Sequence, residues 1–232
     1  MKKRILLATP SYDGRVDVNY IISLTKTIKT LENSGYIIDP LFLCYDSLVQ
    51  RARNDIFKNA YLGEYDFLIM VDSDQSWIDT DILRSLTYDF DILGYPVRKK
   101  SLDEQYNITY SKSYHDYDPN SNNLLNVDSV GTGFMILTKN AISVLWDNSL
   151  EYSNQGTMNR MICNVQIVNG DLCSEDVIIC KKAISHGLRV VVDLDAKCTH
   201  WLVNQAFESN FRSFLARYLS QYMRKKPLII GR

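Results

Sequence analysis

The chain has 232 residues, enough for one domain with a sizeable core, or for one domain with an appendage. With 26 Lys plus Arg against 27 Asp plus Glu, the net charge of −1 excludes the global basic field behind non-specific nucleic-acid binding and leaves room only for a local basic patch. The five cysteines (Cys44, Cys163, Cys173, Cys180, Cys198) show no CxxC or finger-like spacing, which predicts reduced thiols in a cytoplasmic protein rather than a disulfide framework.

In "MKKRILLATPSYDG" the apolar run, Ile5 to Ala8, is too short for a signal peptide, and no other window approaches the ~18 apolar residues of a membrane span. "RILLAT" reads as a buried strand that delivers the loop "PSYDG". From Asp17 onward Ile21, Leu24, Ile28 and Leu31 recur at helical spacing until Gly35. "IIDPLFLCY" predicts a second strand, edged or interrupted by Pro40. "SLVQRARNDIFKNAYLG" predicts a second helix, with Ser47 as cap and Gly63 as stop.

"FLIMV" is the third strand and the most hydrophobic stretch of the chain. Alternating strands and helices of this length predict an α/β fold with a central, mostly parallel sheet flanked by helices, in which ligands gather beyond the carboxyl ends of the strands. "DTDILRSLTY" follows as a helix capped by Asp79 or Thr80, and "FDILGYPV" as a strand and turn. Residues 101 to 127 are polar, aromatic and weakly patterned, reading as short strands and loops over a site. "VGTGFMILTKNAISVLW" reads as turn, strand and helix, and residues 150 to 170 as irregular. "SEDVIICKKAISHG" is a helix stopped by Gly187, and "LRVVVDLDAKCTHW" a strand running out to His200 and Trp201. The tail "FESNFRSFLARYLSQYMRKK" sets Phe207, Phe211, Phe214 or Leu215, and Tyr218 or Leu219 on one face of an amphipathic helix.

Four features carry chemistry. Asp72 and Asp74 flank Ser73 just past "FLIMV"; in extended backbone residues i and i+2 point the same way, so both carboxylates can face one cation. Oxygen ligation of this open kind suits Mg or Mn shared with phosphates, against the alternative of an ordinary acidic turn. Glu175 and Asp176 open a helix, where one acid can cap and the other can accept a proton from an incoming hydroxyl; the residues alone leave open which does which. His200 follows a strand and can ligate a metal, whereas His115 and His186 have weaker settings. Arg53 and Asn54, with Arg51, make a polar cluster at the start of the second helix. Arg there opposes the helix dipole, which calls for an anion or a carboxylate partner. Gly131 and Gly133 fit close backbone approach to a ligand or neighbouring strand.

Taken in order, "ATPSYDG", "RARN", "VDSD", "VGTGFMILTK", "SEDVIICKKAISHGLRVVVD" and the late His200 resemble a glycosyltransferase of the GT-A fold, most similar to family-2-like enzymes and to the small DxD glycosyltransferases of phage and large viruses. The resemblance spans roughly residues 4 to 203. It implies a GT-A domain over residues 1–204 and a C-terminal helix and basic tail over 205–232, through which an oligomer could form. It also implies an Mn or Mg ion held by Asp72, Asp74 and His200 against the donor diphosphate. Thr9, Pro10, Ser11 and Tyr12 would receive the nucleotide base, and Arg53, Asn54, Asp72 and Ser73 would sit near the donor. Gly131, Thr132 and Gly133 would lie near the sugar and acceptor, and Glu175 or Asp176 would supply the base of an inverting reaction.

A UDP-sugar is the favoured donor on the resemblance alone, with GDP behind it. The acceptor is a hydroxyl on a glycan, a lipid-linked sugar or a small molecule. The rival acceptor is a hydroxymethylated DNA base, for which "PVRKK" and "YMRKKPLIIGR" offer basic patches. "NQAFESNFRSF" departs from the signature of processive synthases, so no polymer synthase is expected. A nucleotidyltransferase and a non-catalytic sugar-binding protein are the competing classes.

Overall fold

The computed structural model describes residues 2–110, 123–154, 156–202 and 205–225. The first apolar run forms β1 (Arg4–Ser11), and the periodic segment after it forms α1 (Val18–Asn33), whose first turn is closed by Asp17 accepting from the amide of Asn19. Then come β2 (Ile37–Cys44), α2 (Val49–Leu62), β3 (Phe67–Val71), β4 (Gln75–Trp77), α3 (Asp79–Ser85) and β5 (Ile92–Gly94). The middle of the chain supplies β6 (Ile108–Thr109), β7 (Leu124–Asn126), β8 (Ser129–Val130), β9 (Phe134–Thr138) and α4 (Lys139–Asp147). Two hairpins follow, β10 (Glu151–Asn154) with β11 (Thr157–Arg160) and β12 (Gln166–Val168) with β13 (Asp171–Cys173). The chain closes with α5 (Glu175–Ser185), β14 (Val190–Asp193), β15 (Cys198–Leu202), β16 (Gln205–Glu208) and α6 (Phe211–Lys225).

The central sheet runs β2-β1-β3-β9-β5-β14-β7 among the described residues. β2, β1 and β3 pair in parallel, as do β5 and β14, while β9 and β7 run against their neighbours. Five strands therefore share one direction, and the fold is the α/β arrangement expected above: a mixed, mostly parallel sheet flanked by helices. Pro40 is tolerated because β2 is an edge strand, where an absent N–H costs no ladder bond.

Both faces of the sheet are covered, which is why its strands read as apolar runs without polar alternation. Leu6, Ala8, Leu68, Met70, Met135, Leu137, Val190 and Val192 pack with residues of α2, α4 and α5 on one side. Ile5, Leu7, Phe67, Ile69, Val71, Phe134, Ile136 and Val191 pack with Tyr20, Leu24 and Leu31 of α1, Ile82 of α3 and Trp77 on the other. Phe211 and Leu215 of α6 are buried within the first of these cores, so this helix packs on the sheet layer it follows. Residues 226–232, with most of the basic tail, lie outside the described residues.

Several local expectations are corrected. Ser47 does not cap α2, whose N-cap is Leu48 with no side-chain cap; Asp46 just before it accepts from the amide of Leu48 and pairs with Arg51 through both carboxylate oxygens. Neither Asp79 nor Thr80 caps α3, which has Ile78 at its N-cap, and the Asp79 carboxylate accepts from Thr30 instead. Residues 150 to 170 are not irregular but carry β10, β11 and β12, polar hairpins too short to leave a period. The predicted strand to Trp201 is two strands, β14 and β15. They are separated by a turn in which buried Asp193 accepts from the amides of Asp195 and Ala196 and from Arg84. Phe207 lies in β16, not on the helix.

Gly187 ends α5 with φ 78, a left-handed position that a side chain disfavours. Gly94 is a case of space. A Cβ there would lie 2.0 Å from Cγ2 of buried Val130. Gly94→Ala should therefore destabilise the fold by about 1–3 kcal/mol through overpacking. Chemical denaturation of the variant beside wild type checks this, and an unchanged midpoint would mean that β8 can move aside freely.

Candidate active site

β3 ends at Val71 and the chain turns at once. The Asp72 amide donates to the carbonyl of Gly133 at 3.0 Å and the Gln75 amide to the carbonyl of Asp72 at 3.1 Å, so residues 72 to 75 form a tight turn at the carboxyl end of the sheet. The turn is held from both sides. Asp17 donates its amide to the carbonyl of Ser73 at 2.9 Å, and Trp201 to that of Asp74 at 2.8 Å. β15 runs antiparallel to β4 with His200 opposite Gln75, and this register carries a late histidine to the acidic turn.

Asp74 sits among basic groups. Lys100 Nζ donates to its Oδ2 at 2.5 Å, and His200 Nε2 lies 3.4 Å from the same oxygen. Partial burial pushes this carboxyl up, but hydrogen bonds from His200 and Lys100 outweigh burial and pull it down to about 2, so Asp74 is ionised except in strong acid. His200 Nδ1 is 2.9 Å from the carbonyl oxygen of Arg98. A carbonyl can only accept, so Nδ1 carries a proton; Nε2 donates to Asp74 when it too is protonated, and offers a lone pair on that side once that proton is lost. One carboxylate and one oriented imidazole thus face a common point, a donor set that suits a divalent cation sharing its remaining positions with ligand oxygens. Among the described residues no three His, Cys, Asp or Glu side chains cluster closely enough to hold an ion by themselves.

Asp72 is compensated differently. Arg53, only 4% exposed, donates from Nη2 to Asp72 Oδ1 at 2.7 Å and from Nη1 to Glu175 Oε1. The guanidinium that opposed its helix dipole therefore has two carboxylate partners. Burial works against its charge, and Asp72 and Glu175 more than restore it, raising its pKa. Asn54, beside it, is buried and faces away from the turn. Its Oδ1 accepts from the amides of Ile162 and Cys163, and its Nδ2 donates to the carbonyl of Cys163.

A cleft of about 250 Å³ opens beside this turn, lined by Pro10, Tyr12, Asp46, Ser47, Val49, Arg53, Asp72, Ser73 and Asp74. Of the first loop, Pro10 and Tyr12 reach it. Thr9 and Ser11 do not: Thr9 is fully buried with its hydroxyl 2.6 Å from that of Tyr20, and Ser11 Oγ donates inward to the carbonyl of Arg15. Asn54 likewise does not line the cleft and clamps residues 162 and 163. Gly131, Thr132 and Gly133 are not among the lining residues. Gly131 lets its backbone pair with Asn107, Thr132 is buried, and Gly133 stands behind Asp72, with space for a Cβ 3.4 Å from Oδ2.

Ser174 Oγ and the amide of Val177 both donate to Asp176 Oδ1, while Glu175 turns to Arg53. His186 is the C-cap of α5, and His115 lies outside the described residues. The important residue missed in the sequence is Lys100. It stood in "PVRKK", read there as a basic patch, and only the fold lays it on Asp74.

No family model and no curated protein sequence matches the chain. Among solved structures it is similar to A197 from STIV, at 16% identity over 86% of each chain with a TM-score of 0.54. The Drosophila β-1,4-galactosyltransferase 7 mutant solved with manganese, UDP-Gal and xylobiose aligns at 16% identity over 83% of this chain and 66% of that one, with a TM-score of 0.46. The inositol-1-phosphate CTP transferase from T. maritima aligns at 14% over 84% and 88%, with a TM-score of 0.40. At these identities the likeness is one of fold.

Arg53→Met should cost about 3–5 kcal/mol, because it strands two carboxylates against each other at the edge of the core. Urea unfolding measures this; a loss below about 1 kcal/mol would mean that water replaces the guanidinium without penalty.

Proposed function

We propose that this chain transfers a glycosyl group from a nucleoside-diphosphate sugar, a UDP-sugar in the first instance, to a hydroxyl of a glycan, lipid-linked or small acceptor, with inversion and with Mn or Mg bound. The observation that carries this reading is the pairing of Asp74 with a His200 whose Nε2 is turned toward it, at the mouth of a cleft beyond the carboxyl end of β3. Asp74 and His200 would hold the cation, with Asp72 kept in place beside them by Arg53. When bound, the cation would neutralise charge building on the leaving diphosphate.

The chain's own residues would do the rest. Pro10 and Tyr12 form the wall on which a base can lie, and the Tyr12 ring is exposed for stacking. Glu175 braces Arg53, which leaves Asp176 as the better candidate base. Its Oδ1 is fixed by Ser174 and the Val177 amide, and Oδ2 has no hydrogen bond recorded among the described residues. In the displacement, the acceptor oxygen bonds to C1 of the sugar as the bond from C1 to the phosphate oxygen breaks. The acceptor proton passes to Asp176 and the electron pair leaves on the nucleoside diphosphate.

The DNA-base acceptor is less favoured, since Lys100 of "PVRKK" is engaged with Asp74 rather than offered to a phosphate backbone. A nucleotidyltransferase would release pyrophosphate where a glycosyltransferase releases nucleoside diphosphate.

A thermal-shift panel of UDP-, GDP-, dTDP- and CMP-sugars with EDTA, Mg or Mn tests the reading, since a ligand of the native state raises the melting temperature. One nucleotide family should stabilise the protein only with metal, and Asp74→Ala should abolish the effect. No shift under any condition would move the non-catalytic reading to the front. With a turning-over donor, Asp176→Asn should lower kcat by about 10²-fold or more at unchanged melting temperature, whereas Glu175→Gln should lower the melting temperature. The opposite pattern would exchange the two roles.

A further inference from the structure

Residues 98 to 106 form a short hairpin-like loop. Arg98 bridges Tyr106, and Lys99 donates its amide to the carbonyl of Gln105 at 2.8 Å. Two contacts of this loop bear on the acidic turn. The Arg98 carbonyl orients His200 through Nδ1, and Lys100 places its ammonium 2.5 Å from Asp74 Oδ2, the oxygen that His200 Nε2 also faces at 3.4 Å. One carboxylate oxygen therefore has two claimants within hydrogen-bond or near-contact range, and one of them already carries a full positive charge. Lys100 is held by little else: no other hydrogen bond or ion pair is recorded for its ammonium among the described residues, and its side chain stays partly open to solvent.

We propose that Lys100 is a built-in, displaceable counter-cation of the Asp74–His200 site, which a divalent cation must dislodge to bind. This inference rests on the cation reading of that site given above. The physics is simple competition. A carboxylate oxygen in contact with an ammonium cannot also lie at bonding distance from a divalent ion without bringing two cations together, and that repulsion is large at a partly buried site. A lysine suits such a role. Its charge is a point on a flexible four-carbon stem and can swing into water, where a guanidinium fork fixed by two partners, such as Arg53, cannot. The two carboxylates of the turn thus have different kinds of compensation, permanent for Asp72 and exchangeable for Asp74. The consequence is that the metal-free protein does not carry a bare acidic pocket, and a divalent ion binds more weakly alone than the donor atoms by themselves would allow.

The test is titration of Mn alone, followed by calorimetry and by the electron paramagnetic resonance signal of free Mn, into wild type, Lys100→Met, Lys99→Met and Asp74→Ala. Lys100→Met keeps the aliphatic stem and removes the charge. Lys99→Met removes the same charge one residue away, from a side chain for which no contact with Asp74 is recorded. Lys100→Met should bind Mn about fivefold or more tightly than wild type, the factor lost with one partly exposed ion pair. Lys99→Met should stay near wild type, and Asp74→Ala should not bind. Equal gains for Lys99→Met and Lys100→Met would overturn the proposal in favour of a general charge effect. So would equal affinity of Lys100→Met and wild type. If neither wild type nor Lys100→Met binds Mn, alone or in a repeat with saturating UDP to supply the remaining ligand oxygens, the cation reading itself fails, and this inference with it. Lys100→Arg, which restores a cation at that position, should return the affinity toward wild type, a rescue that a merely structural role of the loop would not produce.

Discussion

The buried guanidinium of Arg53 is the interaction on which the rest of the site depends. On top of the apolar core that α2, β3 and α5 share, it pins three points together: α2, which carries it; the turn after β3, through Asp72; and the start of α5, through Glu175. A buried charge is tolerated only when paired and hydrogen-bonded, and a planar fork with two carboxylates in reach meets that condition better than a lysine would. The next residue extends the same bracket. Asn54 ties the backbone of Ile162 and Cys163 to α2 with three hydrogen bonds, and so fixes the segment that leads into β12, β13 and the acidic start of α5. Two consecutive polar residues of α2 thus hold the turn after β3, the segment at residues 162 and 163 and the start of α5 together.

The second constraint is charge balance around a turn that brings carboxylates together. Like charges this close are stable only with compensation, and two solutions stand side by side. Asp72 is neutralised by a group locked in the core. Asp74 is neutralised by Lys100 at the edge of a loop and by His200, which reaches it through the register of β15 on β4. The same loop presents the Arg98 carbonyl that sets the tautomer of His200, so loop 98–106 governs both partners of Asp74.

Both arrangements are anchored in an apolar sheet. β3 is buried along its whole length and lies between β1 and β9, so its end cannot drift. The reversal at β9 brings the Gly133 carbonyl onto the Asp72 amide. The polar turn is therefore rigid because its supports are not polar.

What the sequence by itself determined was set by local physics. Apolar runs and helical spacing placed β1, α1, β2, α2, β3, β9, α4 and α5, because burial on both faces of a sheet and on one face of a helix leaves a period that can be read. Asp72 and Asp74 stood out because carboxylates at the end of a buried strand need a partner, and Arg53 because it opposed its own helix dipole. What only the tertiary structure decided was identity of partners. Thr9 and Ser11 at the end of β1 and Asn54 in α2 stand next to residues that line the cleft yet turn inward, since a side chain's direction at a strand end or helix start depends on what packs against it. Lys100 looked like one charge in a basic run. Its position on Asp74 follows from a loop bridged between Arg98 and Tyr106, and from β15 returning beside β4, contacts across long stretches of chain that no local pattern encodes.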